Sequence, residues 1–302
     1  MKNDLGKTIH IVPLGHEIER AVVPFHDRTA DLVYLVVNKG SHESDIEMDP
    51  MQSEQEYYTH MVVNDLKKLH IDAKIVKTDT FKFPPLINTL SKLILMEKKN
   101  HSNIYINMSS SGRFASVAAS IAGMAHDVSV YYVHSKKFSK TDEEFKEHGV
   151  CICPPESSWV EELSNFRFEV PTETEVCILE LLYAKSLTTY EWATTKELCD
   201  LLHEKYPDDY DELPVFRGMD TSSFPKEKIE RLRKLQSKLL TKLNGSVMKK
   251  LIAKNYVKRN DPTETSVRYT ITSSGEYALH LSGFGEDLDI EEYVKPASLN
   301  IA

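Results

Sequence analysis

Apolar runs of strand length alternate with stretches of helix length through the first half of the chain, and this alternation restricts the fold more than any other feature. Thr8 to Pro13 (TIHIVP) reads as a first short strand. Asp31 to Asn38 (DLVYLVVN) reads as a second, with no polar alternation, so both of its faces are expected to be buried. Ile71 to Lys77, Asn103 to Met108 and Val128 to Val133 complete a set of five. Between them, Asp49 to His70 places Tyr58, Met61, Val62, Leu66 and Leu69 on one helical stripe, with Asp49-Pro50 as a start signal. Pro84 to Asn100 does the same with Leu86, Leu90, Leu93 and Ile94, and Gly112 to Ala125 forms the next helix. Strands joined by helical crossovers pair in parallel and wind right-handedly. The first half is therefore predicted to be a Rossmann-like α/β domain with a mostly parallel sheet, and such sheets bind ligands outside the carboxyl ends of their strands.

Two loops leave those ends with distinctive chemistry. Leu14-Gly15-His16-Glu17 follows the first strand, and Asn107-Met108-Ser109-Ser110-Ser111-Gly112-Arg113-Phe114 follows the fourth. In the second loop a helix N-terminus faces the loop with unpaired N–H groups and the positive end of its dipole. Ser109, Ser110 and Ser111 add hydroxyls, Gly112 permits close backbone approach, and Arg113 adds a permanent charge suited to phosphate. Ala115, Ala118, Ala119, Ala122 and Gly123 give a thin helix that packs close to a sheet. The same residues also fit a serine-capped packing helix with no ligand, so an anion site and a plain cap both remain open. GxGxxG, GxxxxGK[ST] and GxSxG are all absent, which removes the common dinucleotide, P-loop and α/β-hydrolase readings. His16 with Glu17, and His134 after the fifth strand, lie at the same edge. Neither set carries a complete catalytic constellation, so no catalytic residue is assigned.

The length of 302 residues suits two domains. No apolar run approaches the ~20 residues of a membrane span, and the N-terminus lacks the apolar core of a signal peptide, so no membrane partner and a cytoplasmic location are expected. Cys151, Cys153, Cys177 and Cys199 include no CxxC spacing, so they are expected to be free thiols and no metal site is assigned.

The second half begins after a connector rich in proline and polar residues. Val176, Ile178, Leu179 and Leu182 mark a helix from Thr172, and Thr194 with Glu197 marks the capped start of another. His203 to Phe224 reads as an acidic surface excursion. From Pro225 to Thr270 the chain carries 13 Lys or Arg against 4 Asp or Glu, although its overall net charge is -9. This basic stretch holds a helix ending near Lys254-Asn255 and a strand at Tyr256 to Arg259. A turn at Asp261-Pro262-Thr263, a returning strand at Val267 to Ile271 and a helix capped at Thr272 follow. That is the layout of a winged helix-turn-helix, whose recognition helix enters the major groove of double-stranded DNA while the wing follows the backbone. Lys238, Lys242, Lys249, Lys250, Lys254, Lys258, Arg259 and Arg268 are the expected phosphate contacts, and Thr241, Asn244 and Ser246 the candidates for base edges. Protein recognition by the same layout is the competing reading.

An α/β domain carrying INMSSSGRFASVAASIAGMA, joined to LIAKNYVKR and VRYTITSSGEYAL, resembles the CARF-domain (CRISPR-associated Rossmann fold) transcription regulators of archaeal type. The resemblance covers most of the chain. It implies a CARF-like sensing domain over residues 1–153, a linker over 154–171 and a winged helix-turn-helix domain over 172–302. It also implies a homodimer with one pocket across the two-fold axis, and a cyclic oligoadenylate ligand, most often cyclic tetra-adenylate. The family's two ligand loops match Leu14 to Glu17 and Asn107 to Arg113 here. The chain departs from the family at Ser109-Ser110-Ser111-Gly112, where relatives often carry a Gly-Gly pair with Thr, and this leaves another anionic nucleotide open as the ligand. Some CARF domains cleave their ligand, so a ring nuclease is the alternative function.

Overall fold

The computed structural model describes residues 6–40, 50–153, 160–164, 169–189, 191–208, 225–263, 266–284 and 295–296. Contacts divide the chain into two compact units, one formed by Met1–Glu169 with Glu286–Ala302, the other by Val170–Gly285. Among the described residues no helix is long and apolar enough to cross a membrane.

The first unit alternates as the apolar pattern predicts. In chain order it contains β1 (Thr8–Pro13), α1 (Glu19–Val22), β2 (Leu32–Asn38), α2 (Pro50–Lys68), β3 (Asp72–Thr78) and α3 (Phe83–Lys99). It continues with β4 (Asn103–Asn107), α4 (Arg113–Ala125), β5 (Ser129–Val133), β6 (Lys137–Phe138), α5 (Asp142–His148), β7 (Cys151–Ile152) and β8 (Val160–Glu162). The main sheet runs β3-β2-β1-β4-β5 in parallel, with β8 antiparallel at one edge and Lys295–Pro296 antiparallel at the other. The β8 strand falls in the stretch expected to be a linker, and Lys295–Pro296 joins this sheet although the sequence assigned it to the second domain.

The strand order reverses between β1 and β4. Chains leaving those two strands turn to opposite faces of the sheet, which opens a crevice at their carboxyl ends. α1 and α2 cover one face and α3 and α4 the other. Tyr58, Val62 and Leu66 of α2 are buried on the first face, with Met61 and Leu69 partly buried beside them. Leu86, Leu90, Leu93 and Ile94 of α3 are buried. The alanine stripe of α4 lies against the sheet, and a Cβ added at Gly123 would sit 2.1 Å from Val130 Cγ2. Glycine at that position is what lets α4 approach β5 so closely.

The second unit contains α6 (Glu173–Ser186), β9 (Ala193–Thr194), α7 (Thr195–Lys205), α8 (Lys226–Lys242), a π turn over Leu243–Met248, α9 (Lys249–Ala253), β10 (Val257–Thr263), β11 (Ser266–Ile271) and α10 (Ser273–Leu281). Thr172 and Thr194 each form a reciprocal capping box, with Glu175 and Glu197, and Thr272 caps α10 by accepting from Gly275 N–H at 3.0 Å. Asp261-Pro262-Thr263 is the end of β10 rather than a turn. Its pairing with β11 is irregular between Asn260 and Thr263. Proline has no N–H to give to a ladder, and a bulge is where a strand tolerates it. The excursion expected over 203–224 starts inside α7, and residues 209–224 lie outside the described residues.

Candidate functional site

A cavity of about 1210 Å³ opens at the carboxyl ends of the strands in the first unit. Leu14, Gly15, His16 and Glu17 line it together with Ser111, Gly112 and Arg113. These are the two loops singled out in the sequence, and they meet at the β1–β4 reversal. Gly15 N–H donates to Ser110 carbonyl oxygen at 2.8 Å, so the loops are tied backbone to backbone.

Six residues of the fourth-strand loop divide into two groups. Asn107, Ser109 and Ser110 are fully or almost fully buried and do not line the cavity. Asn107 Oδ1 accepts from Ser109 N–H at 2.9 Å and from Ser109 Oγ at 2.6 Å, and Asn107 Nδ2 donates to Arg20 carbonyl oxygen at 2.8 Å. Ser109 Oγ accepts from Val133 N–H at 3.1 Å. These side chains shape the loop from behind. Ser111, Gly112 and Arg113 are partly or fully exposed and face the opening. Gly112 is the N-cap of α4 with extended backbone, and no side chain caps the helix. The serine-capped reading therefore does not hold: the first-turn N–H groups of α4 have no side-chain cap and stand at the cavity wall beside Arg113. An uncapped helix start with an adjacent guanidinium is chemically suited to a phosphate or carboxylate.

The first-strand loop is held by residues that sequence reasoning did not single out. Arg20 Nη1 lies 3.3 Å from Glu17 Oε1 and donates to Ser109 carbonyl oxygen at 3.3 Å. Its Nη2 donates to Tyr132 Oη at 3.1 Å and Ser135 Oγ at 3.3 Å. One guanidinium thus ties both loops to the end of β5. Glu17 Oε2 accepts from Cys151 N–H at 3.1 Å. Burial raises the Glu17 carboxyl above the usual carboxylate range, and Arg20 opposes that shift. His16 stacks on Tyr58 with ring centroids 4.8 Å apart, and burial lowers its pKa while Glu54 opposes the shift. The β6–α5–β7 excursion reaches back through Gly149, which bridges to Glu17 with φ of 82°. A Cβ there would fall 2.5 Å from His16 carbonyl oxygen, so only glycine fits. The sequence signal for this contact was the glycine directly after the α5 helix, a common C-terminal stop that did not disclose what it packs against.

α2, the ends of β2 and β3 and the β3–α3 turn supply most of the rest of the cavity. Gln55 Nε2 donates to Gly15 carbonyl oxygen at 3.4 Å. Lys77, Lys82 and His60 add basic groups, while Asp79 pairs with Lys82 at 3.3 Å. Phe81 and Phe114 also line the cavity. His134 lies outside it and pairs with Glu161 at 2.9 Å. Among the described residues no group of three His, Cys, Asp or Glu side chains is placed to hold a metal ion.

In the second unit the basic side chains fall on one continuous helical run and its hairpin. Lys238, Thr241, Lys242, Asn244, Ser246, Lys249, Lys250, Lys258 and Arg259 are exposed. The π turn places Leu243, Val247, Met248 and Leu251 in the core together. The base-reading candidates already hold bonds within the chain. Asn244 Oδ1 accepts from Tyr269 Oη at 3.1 Å, Thr241 Oγ1 donates to Ser237 carbonyl oxygen at 2.8 Å, and Ser246 Oγ donates to Lys242 carbonyl oxygen. Arg268 is partly buried, with its guanidinium 3.9 Å from the Trp192 ring centroid. Lys254 pairs with Glu175 at 3.7 Å.

The first unit is thus a Rossmann-like α/β unit with an anion-suited crevice at its strand-order reversal. A family model described as "HFX_2341_N:-like, N-terminal" matches residues 8–138, the part that contains both loops. The chain is 24% identical over 129 residues to "Uncharacterized protein MJ1513" of Methanocaldococcus jannaschii, a match spanning 41% of this chain and 36% of that protein. Among solved structures, the chain overlaps Can2 of Sulfobacillus thermosulfidooxidans, determined in complex with cyclic tetra-adenylate, at 11% identity and TM-score 0.35, over 92% of this chain and 62% of that one. It overlaps Enterococcus italicus Csm6, bound to cyclic hexa-2'-fluoro-hexa-dAMP, at 12% identity and TM-score 0.36, over 83% and 65%. Protein VC1899 of Vibrio cholerae overlaps at 11% identity and TM-score 0.36, over 87% and 77%. The fold is defined by the strand order above, not by overlaps of this size.

Proposed function

We propose that this protein is a ligand-responsive transcription regulator, a homodimer that senses a cyclic oligoadenylate or a similar anionic nucleotide and binds double-stranded DNA. The observation that carries the sensing half is the uncapped start of α4, where Ser111, Gly112 and Arg113 open into the cavity at the β1–β4 reversal. The site suits a phosphodiester, and a two-fold cyclic ligand would meet two copies of it in a closed dimer. The DNA half is supported by the helix–strand–helix–helix–hairpin order of the second unit, which we read as a winged helix, and by the exposed lysines along α8, α9 and β10. For ligand to regulate DNA binding, it must bind two dimer states with different affinity.

The test is a titration of the purified protein with a panel of cyclic oligoadenylates, with linear oligoadenylates as controls. One cyclic species should bind tightly to the wild type and weakly to Arg113→Ala, with the fold unchanged. Equal affinity in the variant would place the ligand elsewhere. A second reading, a ring nuclease, draws on His16 and Glu17: both line the cavity, with pKa values displaced in opposite directions from their ordinary ones. Turnover of labelled ligand by the wild type, lost in Glu17→Gln, would favour the enzyme over the sensor.

A further inference from the structure

The cavity contains two phenylalanines that remain largely exposed. Phe81, in the β3–α3 turn, is 68% exposed, and Phe114, on the first turn of α4, is 50% exposed. Both line the cavity. Each is adjacent in sequence to a basic residue that also lines it, Phe81 to Lys82 and Phe114 to Arg113. Phe114 is not a loose side chain: Phe83 packs edge-on against it, with ring centroids 5.5 Å apart and planes at 75°.

Aromatic faces left in water forgo the gain that burial would give them. Scattered singly on a surface such residues need no explanation, but these two sit in a concave site whose end is built for an anion. Bare phosphate or a small carboxylate would leave both rings unused. A ligand that presents planar unpaired bases on a phosphate backbone would use the rings and the cations together, which is how single-stranded nucleic acid is gripped.

We propose that Phe81 and Phe114 are stacking platforms for the bases of the ligand, so that the pocket selects a nucleotide with at least two accessible bases. This rests on the nucleotide-sensing reading of the same site and adds what recognises the bases. The rival occupant is a second copy of this chain, because Val117, 52% exposed, lies one turn along α4 from Phe114. Val117 does not line the cavity, and this separates the two cases.

The experiment titrates the full chain with cyclic tetra-adenylate in the wild type and in Phe81→Ala, Phe114→Ala, Phe114→Trp and Val117→Ser. Oligomeric state is followed by light scattering and folding by circular dichroism. Each alanine variant should weaken binding roughly five- to 150-fold, the range of a lost base–aromatic stack. Phe114→Trp should bind within about threefold of wild type, since an indole also stacks, and Val117→Ser should bind as wild type does. Tight binding by the wild type that both alanine variants retain overturns the stacking role and leaves the sensing function intact. Loss of dimer in both Phe114→Ala and Val117→Ser, with affinity per site unchanged, assigns Phe114 to the protein interface and overturns its stacking role. If the wild type binds no cyclic oligoadenylate, the same variants are titrated with ATP and GTP. Phenylalanine-dependent binding there keeps a stacking role but overturns both the cyclic ligand and the selection for two bases, and no binding overturns the whole proposal.

Discussion

Replacing Arg20 by methionine removes a side chain that ties both cavity loops to β5. In the wild type its guanidinium meets Glu17, Ser109 carbonyl oxygen, Tyr132 and Ser135 at 3.1 to 3.3 Å. The side chains of Arg20 and Glu17 are 13% and 10% exposed. Breaking a buried pair by deleting one partner costs ~3–5 kcal/mol, mainly because the other charge is stranded. These contacts are longer than the 2.7–2.9 Å of strong charge-assisted bonds, so the expected loss is at the lower end, about 3 kcal/mol. The loss has a defined pH dependence. Burial already raises the Glu17 carboxyl, and Arg20 is the first opposing cause. Without Arg20 the carboxyl of the folded variant rises further, so the folded state holds a proton that the unfolded state releases. Stability then falls as pH rises above the ordinary carboxylate range. Urea unfolding followed by far-UV circular dichroism should show a larger deficit for Arg20→Met at pH 8 than at pH 5. Glu17→Gln/Arg20→Met should lose less than the sum of the two single changes. A deficit that is the same at both pH values, or strict additivity in the double variant, would refute the reasoning.

Gly123→Ala would place a Cβ 2.1 Å from Val130 Cγ2. Overpacking costs about 1–3 kcal/mol and helix propensity returns only about 1, so a lowered urea midpoint is expected, and an unchanged midpoint would show that α4 moves freely. His10 is buried between Tyr105, Phe25 and Tyr131, and burial, with Arg28 second, lowers its pKa to about 3. A folded pKa below the unfolded value means full stability above pH ~6.5 and progressive loss as pH falls from there toward 3. His10→Phe should flatten that acid limb in a pH series of melting temperatures. Lys249→Ala and Lys250→Ala should each reduce the salt dependence of DNA affinity by about one counterion and weaken binding to all sequences alike. An unchanged salt slope would take these lysines off the phosphate backbone.

The sequence alone determined the five parallel strands of the first unit and the main helices between them. Strand and helix periods are local properties, set by where apolar side chains recur, and the five parallel strands, the α2 and α3 stripes and the threonine caps were all legible from them. It also located the two loops of the cavity, because a parallel sheet puts chemistry at one end of its strands. Tertiary structure alone decided which residues in those loops face the cavity. Ser109 looks the same in sequence as Ser111, yet it turns inward with Asn107 to satisfy buried backbone groups, since a buried N–H must find a partner wherever one is nearest. Only folding brought Arg20 to Ser109, Gly149 to His16 and Phe81 into the same cavity as the start of α4. These pairs are separated by tens of residues to more than a hundred, and no local period encodes them. Likewise, Pro262 signals a turn from its own chemistry, and only the pairing of Asn260 and Thr263 with β11 on either side of it places it within a strand.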